Sequence, residues 1–248
     1  MNLEQFFSTH RSAALAFSGG VDSAYLLYAA LHYGCDVHAY YVKSAFQPDF
    51  ETEDAIKLCK ELGARMTIID LDILSDDTIC SNPDNRCYHC KKQIFSAILN
   101  AAKKDGYTVL LDGTNASDEA SDRPGMKALQ ELQVLSPLRE CGLTKEDVRR
   151  LSKEAGLFTW EKPAYACLAT RIPTGSPITL EKLQSTEQAE SYLASLGFTD
   201  FRIRMQGRDA KIQIREEQFE KLLLYRKEIL ENLESLYDSI TLDLKERP

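Results

Sequence analysis

The sequence predicts an α/β protein in which a parallel sheet carries helices on both faces, followed by a small C-terminal α+β domain. Three observations lead there. Short apolar runs alternate with helical-period segments up to about residue 155. The first apolar run ends in a glycine pair that opens a helix, Ser18-Gly19-Gly20-Val21-Asp22-Ser23. After about residue 172 the order changes to helix, strand, strand, helix, strand.

Taken in order, Ala13 to Phe17 is a short apolar run of strand length, and Asp22 to Tyr33 carries Ala, Leu and Tyr at helical spacing before Gly34. Val37 to Val42 is strand-like. Glu51 to Leu62 is an amphipathic helix that Gly63 stops. Met66 to Leu71 predicts a further strand, and Lys91 to Lys104 a helix with Ile94, Phe95, Ile98 and Leu99 as its apolar stripe. Thr108 to Leu111 predicts a buried strand, Val134 to Leu138 another, and Thr144 to Ala155 a capped helix closed by Gly156. Residues 161–178, rich in proline and glycine, form a connector. Beyond it come a helix at 180–196, strands at 201–205 and 210–214, a long helix at 216–236 and a last strand at 240–244. The expected domains are 1–172 and 173–248, the second for substrate binding or oligomerisation.

The totals narrow the function. The 248 residues are 44% apolar and 27% charged, with a formal charge of −8. Long nucleic acid is gripped through basic surface, so an extended nucleic-acid footprint is disfavoured and a small anionic ligand suits the balance better. No apolar run is long enough to cross a bilayer, and the N-terminus lacks the order of a signal peptide. A cytoplasmic setting follows as the expectation, in which the seven cysteines are thiols, metal ligands or catalysts instead of disulfides.

A strand feeding a glycine pair at a helix start is an anion cradle, because glycines admit phosphate to backbone N–H groups and the helix end adds positive potential. Ser18 and Ser23 add hydroxyls. Neither the Gly-Lys-Ser/Thr of a P-loop nor a three-glycine dinucleotide loop is present. The hexapeptide SGGVDS resembles the pyrophosphate loop of the PP-loop ATP pyrophosphatases, and Asp112-Gly113-Thr114-Asn115 with Asp118 looks like their second nucleotide-side loop. The resemblance implies the adenine nucleotide alpha hydrolase-like fold, and ATP as the reagent that adenylylates a carboxylate or carbonyl oxygen. Ser18, Gly19, Gly20, Asp22, Ser23, Gly113, Thr114 and Arg123 are then the ATP-binding candidates. Asp22 and Asp118 would hold Mg²⁺, since hard oxygen ligands suit that ion.

The cysteines bear on the nucleophile. Cys87 and Cys90 stand at ligand spacing, and Cys167 lies in the connector. Spacing alone leaves open a zinc clip, a redox pair or a sulfur-handling site, and Cys80 could complete a four-thiolate zinc centre. Cys35, Cys59 and Cys141 fall in or beside regular elements, where a buried thiol is a small apolar residue.

Over nearly its full length the chain resembles the LarE family of ATP-dependent sulfur transferases, the pyridinium-biscarboxylic acid mononucleotide sulfur synthases. SGGVDS, RCYHCKK, DGTNASDEASDRPG at 112–125, ACLATRIPTG at 166–175 and SLGFTDFRIR at 195–204 carry the resemblance. It implies synthesis of the thioacids of the nickel-pincer nucleotide used by lactate racemase. Some members sacrifice one cysteine, matching Cys167, while others bind a [4Fe-4S] cluster with a labile extra sulfide through three. Cys87, Cys90 and Cys167 match the second kind. The resemblance also implies a mononucleotide substrate, with Arg202 and Arg204 on its phosphate and Glu190 nearby, and a homo-oligomer, hexameric in some members. Gln213 departs from the Glu of some members, and Cys80 lies outside the family's cysteine set.

Two further cations stand out. Lys91 and Arg123 are candidates to stabilise the acyl-adenylate or the leaving pyrophosphate. Rival readings are a tRNA thiolase, an ammonia-dependent amidase, which would leave the three cysteines unexplained, and a zinc-stabilised nucleotide-binding module without turnover.

Overall fold

The structure is a computed structural model that describes residues 1–118 and 124–245. Chain order runs α1 (Leu3–Thr9), β1 (Ser12–Ala16), α2 (Val21–His32), β2 (Asp36–Lys43), α3 (Asp49–Leu62), β3 (Arg65–Asp70), α4 (Asp77–Cys80), α5 (Arg86–Lys104) and β4 (Leu110–Leu111). Then come α6 (Pro124–Glu131), α7 (Pro137–Glu140), α8 (Lys145–Glu154), α9 (Leu180–Ser195), β5 (Arg202–Gln206), β6 (Asp209–Gln213), α10 (Phe219–Leu224), α11 (Arg226–Leu233) and β7 (Ile240–Leu242). The chain divides into two units, residues 1–73 with 85–162 and residues 74–84 with 163–248. The sequence expectation put the division at 172/173.

The first unit holds a four-stranded parallel sheet in the order β3-β2-β1-β4. Parallel strands need both faces covered, and the central strand shows how. Ala13 and Leu15 point into one core with Ala24 and Leu27 of α2, Leu58 of α3 and Val148 of α8. Ala14 points into the other, with Phe95 and Ile98 of α5 and Leu129 of α6. On β2, Val37, Ala39 and Tyr41 share the first core and Tyr40 and Val42 the second. This two-residue alternation places helices on both faces, as the sequence predicts. Both loops that could meet a nucleotide leave the carboxyl ends of β1 and β4, which are paired neighbours.

Three predicted elements form differently, and α1, α4 and α6 lie outside the predicted set. The strand predicted at 134–138 is a single parallel bridge from Leu135 to Leu111. Pro137 ends it, because it has no N–H for a ladder and its fixed φ suits the first position of α7. The helix predicted from Lys91 begins at Arg86, so Cys87 and Cys90 lie inside α5 and not before it. The helix predicted over 216–236 is a 3₁₀ turn followed by α10 and α11, interrupted at Tyr225 with no glycine or proline to mark the break.

In the second unit β5 and β6 form an antiparallel hairpin and β7 adds parallel to β6. Residues 74–84 are tied into this unit by backbone and side-chain bonds. Ile178 N–H donates to Cys80 O and Gly175 N–H to Asn82 O, each at 2.8 Å. The Asn82 side chain, 1% exposed, donates to Pro173 O at 2.8 Å. No helix among the described residues is long and apolar enough to cross a membrane.

Candidate functional site

The glycine loop sits where β1 hands over to α2. Gly19 has φ of +71° and lies against Ala55 of α3, so a side chain there would meet both backbone strain and a neighbour. Ser23, 4% exposed, knits the loop together. Its Oγ accepts the Ser18 N–H at 3.3 Å, donates to Gly20 O at 3.1 Å and lies 3.1 Å from Ser18 Oγ. Gly20 caps α2 without a side chain, which keeps the helix start accessible to an anion.

The loop after β4 is built around a buried carboxylate. Asp112, 5% exposed, accepts the Ser136 hydroxyl at 2.6 Å and both the N–H and hydroxyl of Thr114. Gly113 brings the two loops together, because a Cβ there would stand 2.8 Å from Ser23 N. Asn115, 3% exposed, donates its amide to Asp22 Oδ1 at 3.1 Å, and its N–H reaches Asp118 Oδ2, also at 3.1 Å. Lys145, the first residue of α8, makes an ion pair with Asp22 Oδ2. Arg139 donates to Asp118 O. Thus Ser18, Gly19, Gly20, Asp22, Ser23, Gly113, Thr114 and Asp118 form one side of the first unit. Arg123 lies outside the described residues.

Sequence reasoning missed Lys145, Arg139 and the role of Asn115 as a tether. Asn115 was within reach of it, since the residue follows Asp112-Gly113-Thr114. Lys145 was not, because a lysine after a helix cap is ordinary and its partner is 123 residues away.

Cys87 and Cys90 are three residues apart near the start of α5, which puts both on one side of the helix. Cys87 is exposed and Cys90 half-buried, and Arg86 Nη2 lies 4.0 Å from Cys87 Sγ. Lys91 follows directly. Its stem passes over Gly125 of α6, where a Cβ would fall 2.7 Å from Lys91 Cδ. Cys167 belongs to the second unit, where it is half-buried and precedes a 3₁₀ turn at Leu168–Arg171. Cys80 is also in the second unit, its thiol donating to Leu74 O at 3.2 Å. Among the described residues no three His, Cys, Asp or Glu side chains are grouped as a metal centre. The remaining cysteines behave as apolar residues, with burial pushing the Cys35 and Cys59 thiols up to about 11 and raising Cys141 as well.

Arg202 and Arg204 alternate with buried Ile203 and Met205 on β5, as the sequence predicts. Arg202 is 8% exposed and donates to Phe201 O at 2.8 Å and Ala164 O at 2.9 Å. Arg204 is exposed and donates to Gln213 Oε1 at 2.7 Å and Thr170 O at 3.0 Å. Glu190, 5% exposed, is held by Arg171, Tyr165 and the Ile203 N–H. Gln213 uses both ends of its amide, accepting from Arg204 and donating to Asp243 Oδ2 at 2.9 Å. A glutamate there would face the Asp243 carboxylate, so the amide suits this pairing.

The family model described as "Thiamine biosynthesis protein (ThiI)" matches residues 8–194. The pyridinium-3,5-bisthiocarboxylic acid mononucleotide synthase of Lactiplantibacillus plantarum is 37% identical over 93% of this chain and 84% of its own length. An uncharacterised protein of Synechocystis is 36% identical over 90% of this chain and 83% of its own. A tRNA-specific 2-thiouridylase of a Thermotoga species is 26% identical, over 65% of this chain and 57% of its own.

Proposed function

Because the chain belongs to the LarE family of PP-loop ATP-dependent sulfur transferases, we propose that it converts a carboxylate of pyridinium-3,5-biscarboxylic acid mononucleotide to a thiocarboxylate. The observation that carries the reading is the pairing of the two loops after β1 and β4, with Asp22 fixed by Asn115 and Lys145. That arrangement offers backbone donors to the phosphates and a positioned carboxylate beside them.

The chemistry proceeds in two displacements. A substrate carboxylate oxygen attacks the α-phosphorus of ATP, the bond to pyrophosphate breaks, and a mixed anhydride with AMP forms. Sulfur then attacks the carboxyl carbon and AMP departs with the oxygen. The glycine loop and α2 hold the pyrophosphate side. Asp22 and Asp118, an all-oxygen pair, fit Mg²⁺. Lys91 and Lys145 neutralise charge that develops on the phosphates. Arg202 and Arg204 take the substrate phosphate, a role suited to forked donors.

Cys87, Cys90 and Cys167 supply soft thiolate donors, a set that fits a three-cysteine [4Fe-4S] cluster. They would hold it, and when bound it would supply a labile sulfide. Cys80 takes no part in this reading. Transfer from a replenished sulfide, in service of a nickel-pincer nucleotide for lactate racemase, makes the enzyme multiple-turnover. A cytoplasmic setting, where thiols stay reduced, and a homo-oligomer complete the proposal. Leu223 and Leu224, 64% and 80% exposed, offer apolar surface for such contacts.

The test is anaerobic reconstitution with iron and sulfide, metal and sulfide analysis, and a thiolation assay with ATP and the mononucleotide. Iron and labile sulfide with repeated turnovers are expected. If Cys167→Ala keeps both the cluster and multiple-turnover transfer, the cluster reading fails. Zinc alone, with no thiolation, would overturn it as well.

A further inference from the structure

The segment from Ala164 to Arg171 carries Cys167, and its backbone oxygens are gripped by three guanidiniums of the second unit. Arg202 Nη2 donates to Ala164 O at 2.9 Å, Arg171 Nη1 to Ala166 O at 2.7 Å and Arg204 Nη1 to Thr170 O at 3.0 Å. The Cys167 carbonyl is the most heavily used. It accepts the Thr170 N–H at 3.0 Å, the Thr170 hydroxyl at 2.8 Å and Arg171 Nη1 at 3.4 Å. Thr170 Oγ1 in turn accepts from Arg171 Nη1 at 2.9 Å.

Arg171 is itself locked. Its Nε and Nη2 donate to the two oxygens of Glu190, each at 2.8 Å, with the side chains 0% and 6% exposed. Glu190 also accepts the Tyr165 hydroxyl at 2.6 Å and the Ile203 N–H at 2.9 Å. A bidentate pair fixes the plane of the guanidinium as well as its place. Stability alone does not account for such a pair, because apolar side chains of similar volume are often as stable in a core. What apolar side chains cannot do is donate to the two carbonyls on either side of the Cys167 Cα.

We propose that Arg171, held by Glu190, is a positioning residue that fixes the backbone of Cys167 through the Ala166 and Cys167 carbonyls and the Thr170 hydroxyl. The thiol is thereby presented from a rigid turn whose setting is anchored in the core of the second unit. Glu190 acts through Arg171 and not on the substrate. The proposal rests on the reading that Cys167 is a sulfur-handling cysteine, but its geometry does not.

The experiment measures carboxamidomethylation of the full chain after metal is removed by chelation, following Cys167 by mass spectrometry with Cys87 as internal reference. In Thr170→Val and in Arg171→Lys the Cys167 to Cys87 rate ratio should rise about fivefold, the size of one net hydrogen bond lost. Thr170→Ser, which restores the hydroxyl, should keep the wild-type ratio. If Arg171→Lys does not fold, Thr170→Val and Thr170→Ser decide alone. An unchanged ratio in folded Thr170→Val overturns the proposal, and so does an equal rise at Cys87, the mark of general loosening. Sulfur transfer by Cys167→Ala is scored separately. If it persists, the functional reading fails while the ratio still reports on positioning.

Discussion

Lys145 Nζ is ion-paired to Asp22 Oδ2, which ties the first residue of α8 to the glycine loop. Asn115 holds the other oxygen, so the carboxylate is oriented from two sides. Lys145→Met should lower ATP-dependent pyrophosphate release about a hundredfold, as expected when one preorganised charge is removed. Folding should change by only about 1 kcal/mol, because the pair is partly solvated at 34% and 23% exposure. Pyrophosphate release at saturating mononucleotide, beside a thermal melt, checks both. A near-native rate would remove Lys145 from the site.

Gly113 is the closest approach between the two loops. A Cβ there would stand 2.8 Å from Ser23 N and 3.1 Å from Ser23 Cα. Backbone on both sides leaves nothing flexible to yield, so Gly113→Ala must separate the second loop from α2. Destabilisation of about 1–3 kcal/mol is expected, together with loss of ATP binding. Denaturant unfolding and calorimetric titration with ATP measure the two. Retained ATP affinity would show that the loops need not touch.

How far the sequence could be followed depended on the range of the interaction. Local signals carried well. The capping box at Thr144, the αL glycine at Gly63 and the alternation of Arg202 and Arg204 with Ile203 and Met205 lie within a turn or a strand. Failures arose where distant chain decides. The 134–138 segment has strand-forming residues, but Pro137 and a two-residue β4 leave it one bridge. Glu190 takes four donors from Tyr165, Arg171 and Ile203, partners 13 to 25 residues away that no local signal announces. The break at Tyr225 carries no local mark at all.

The seven cysteines should separate sharply by reactivity. Cys35 and Cys59 are buried, and loss of solvation raises their thiols to about 11. At pH 8 only about one in a thousand of such thiols is ionised, and the thiolate is the nucleophile. Cys87 is exposed. Iodoacetamide at pH 8 should therefore label Cys87 in the native protein and reach Cys35 and Cys59 only after unfolding. Peptide mapping with and without denaturant provides the comparison. Native labelling of Cys35 or Cys59 at the rate of Cys87 would contradict the burial.

Arg202 and Arg204 share a strand face but should not behave alike. Arg202 is 8% exposed and satisfies the carbonyls of Ala164 and Phe201. Arg202→Ala strands those oxygens and should cost about 1–3 kcal/mol of stability. Arg204 is exposed, and its partners Gln213 and Thr170 O can turn to water. Arg204→Ala should leave the melt nearly unchanged while weakening mononucleotide binding about tenfold, the order of one charge-assisted phosphate contact. ATP affinity should stay at the native value in Arg204→Ala, because the side chain of Arg204 is bonded to Gln213 and Thr170 O while the ATP phosphates are assigned to the glycine loop. Titration of each variant with mononucleotide and with ATP separates the effects. Equal weakening of both ligands by Arg204→Ala would mean that the substrate phosphate and the nucleotide do not occupy separate sites.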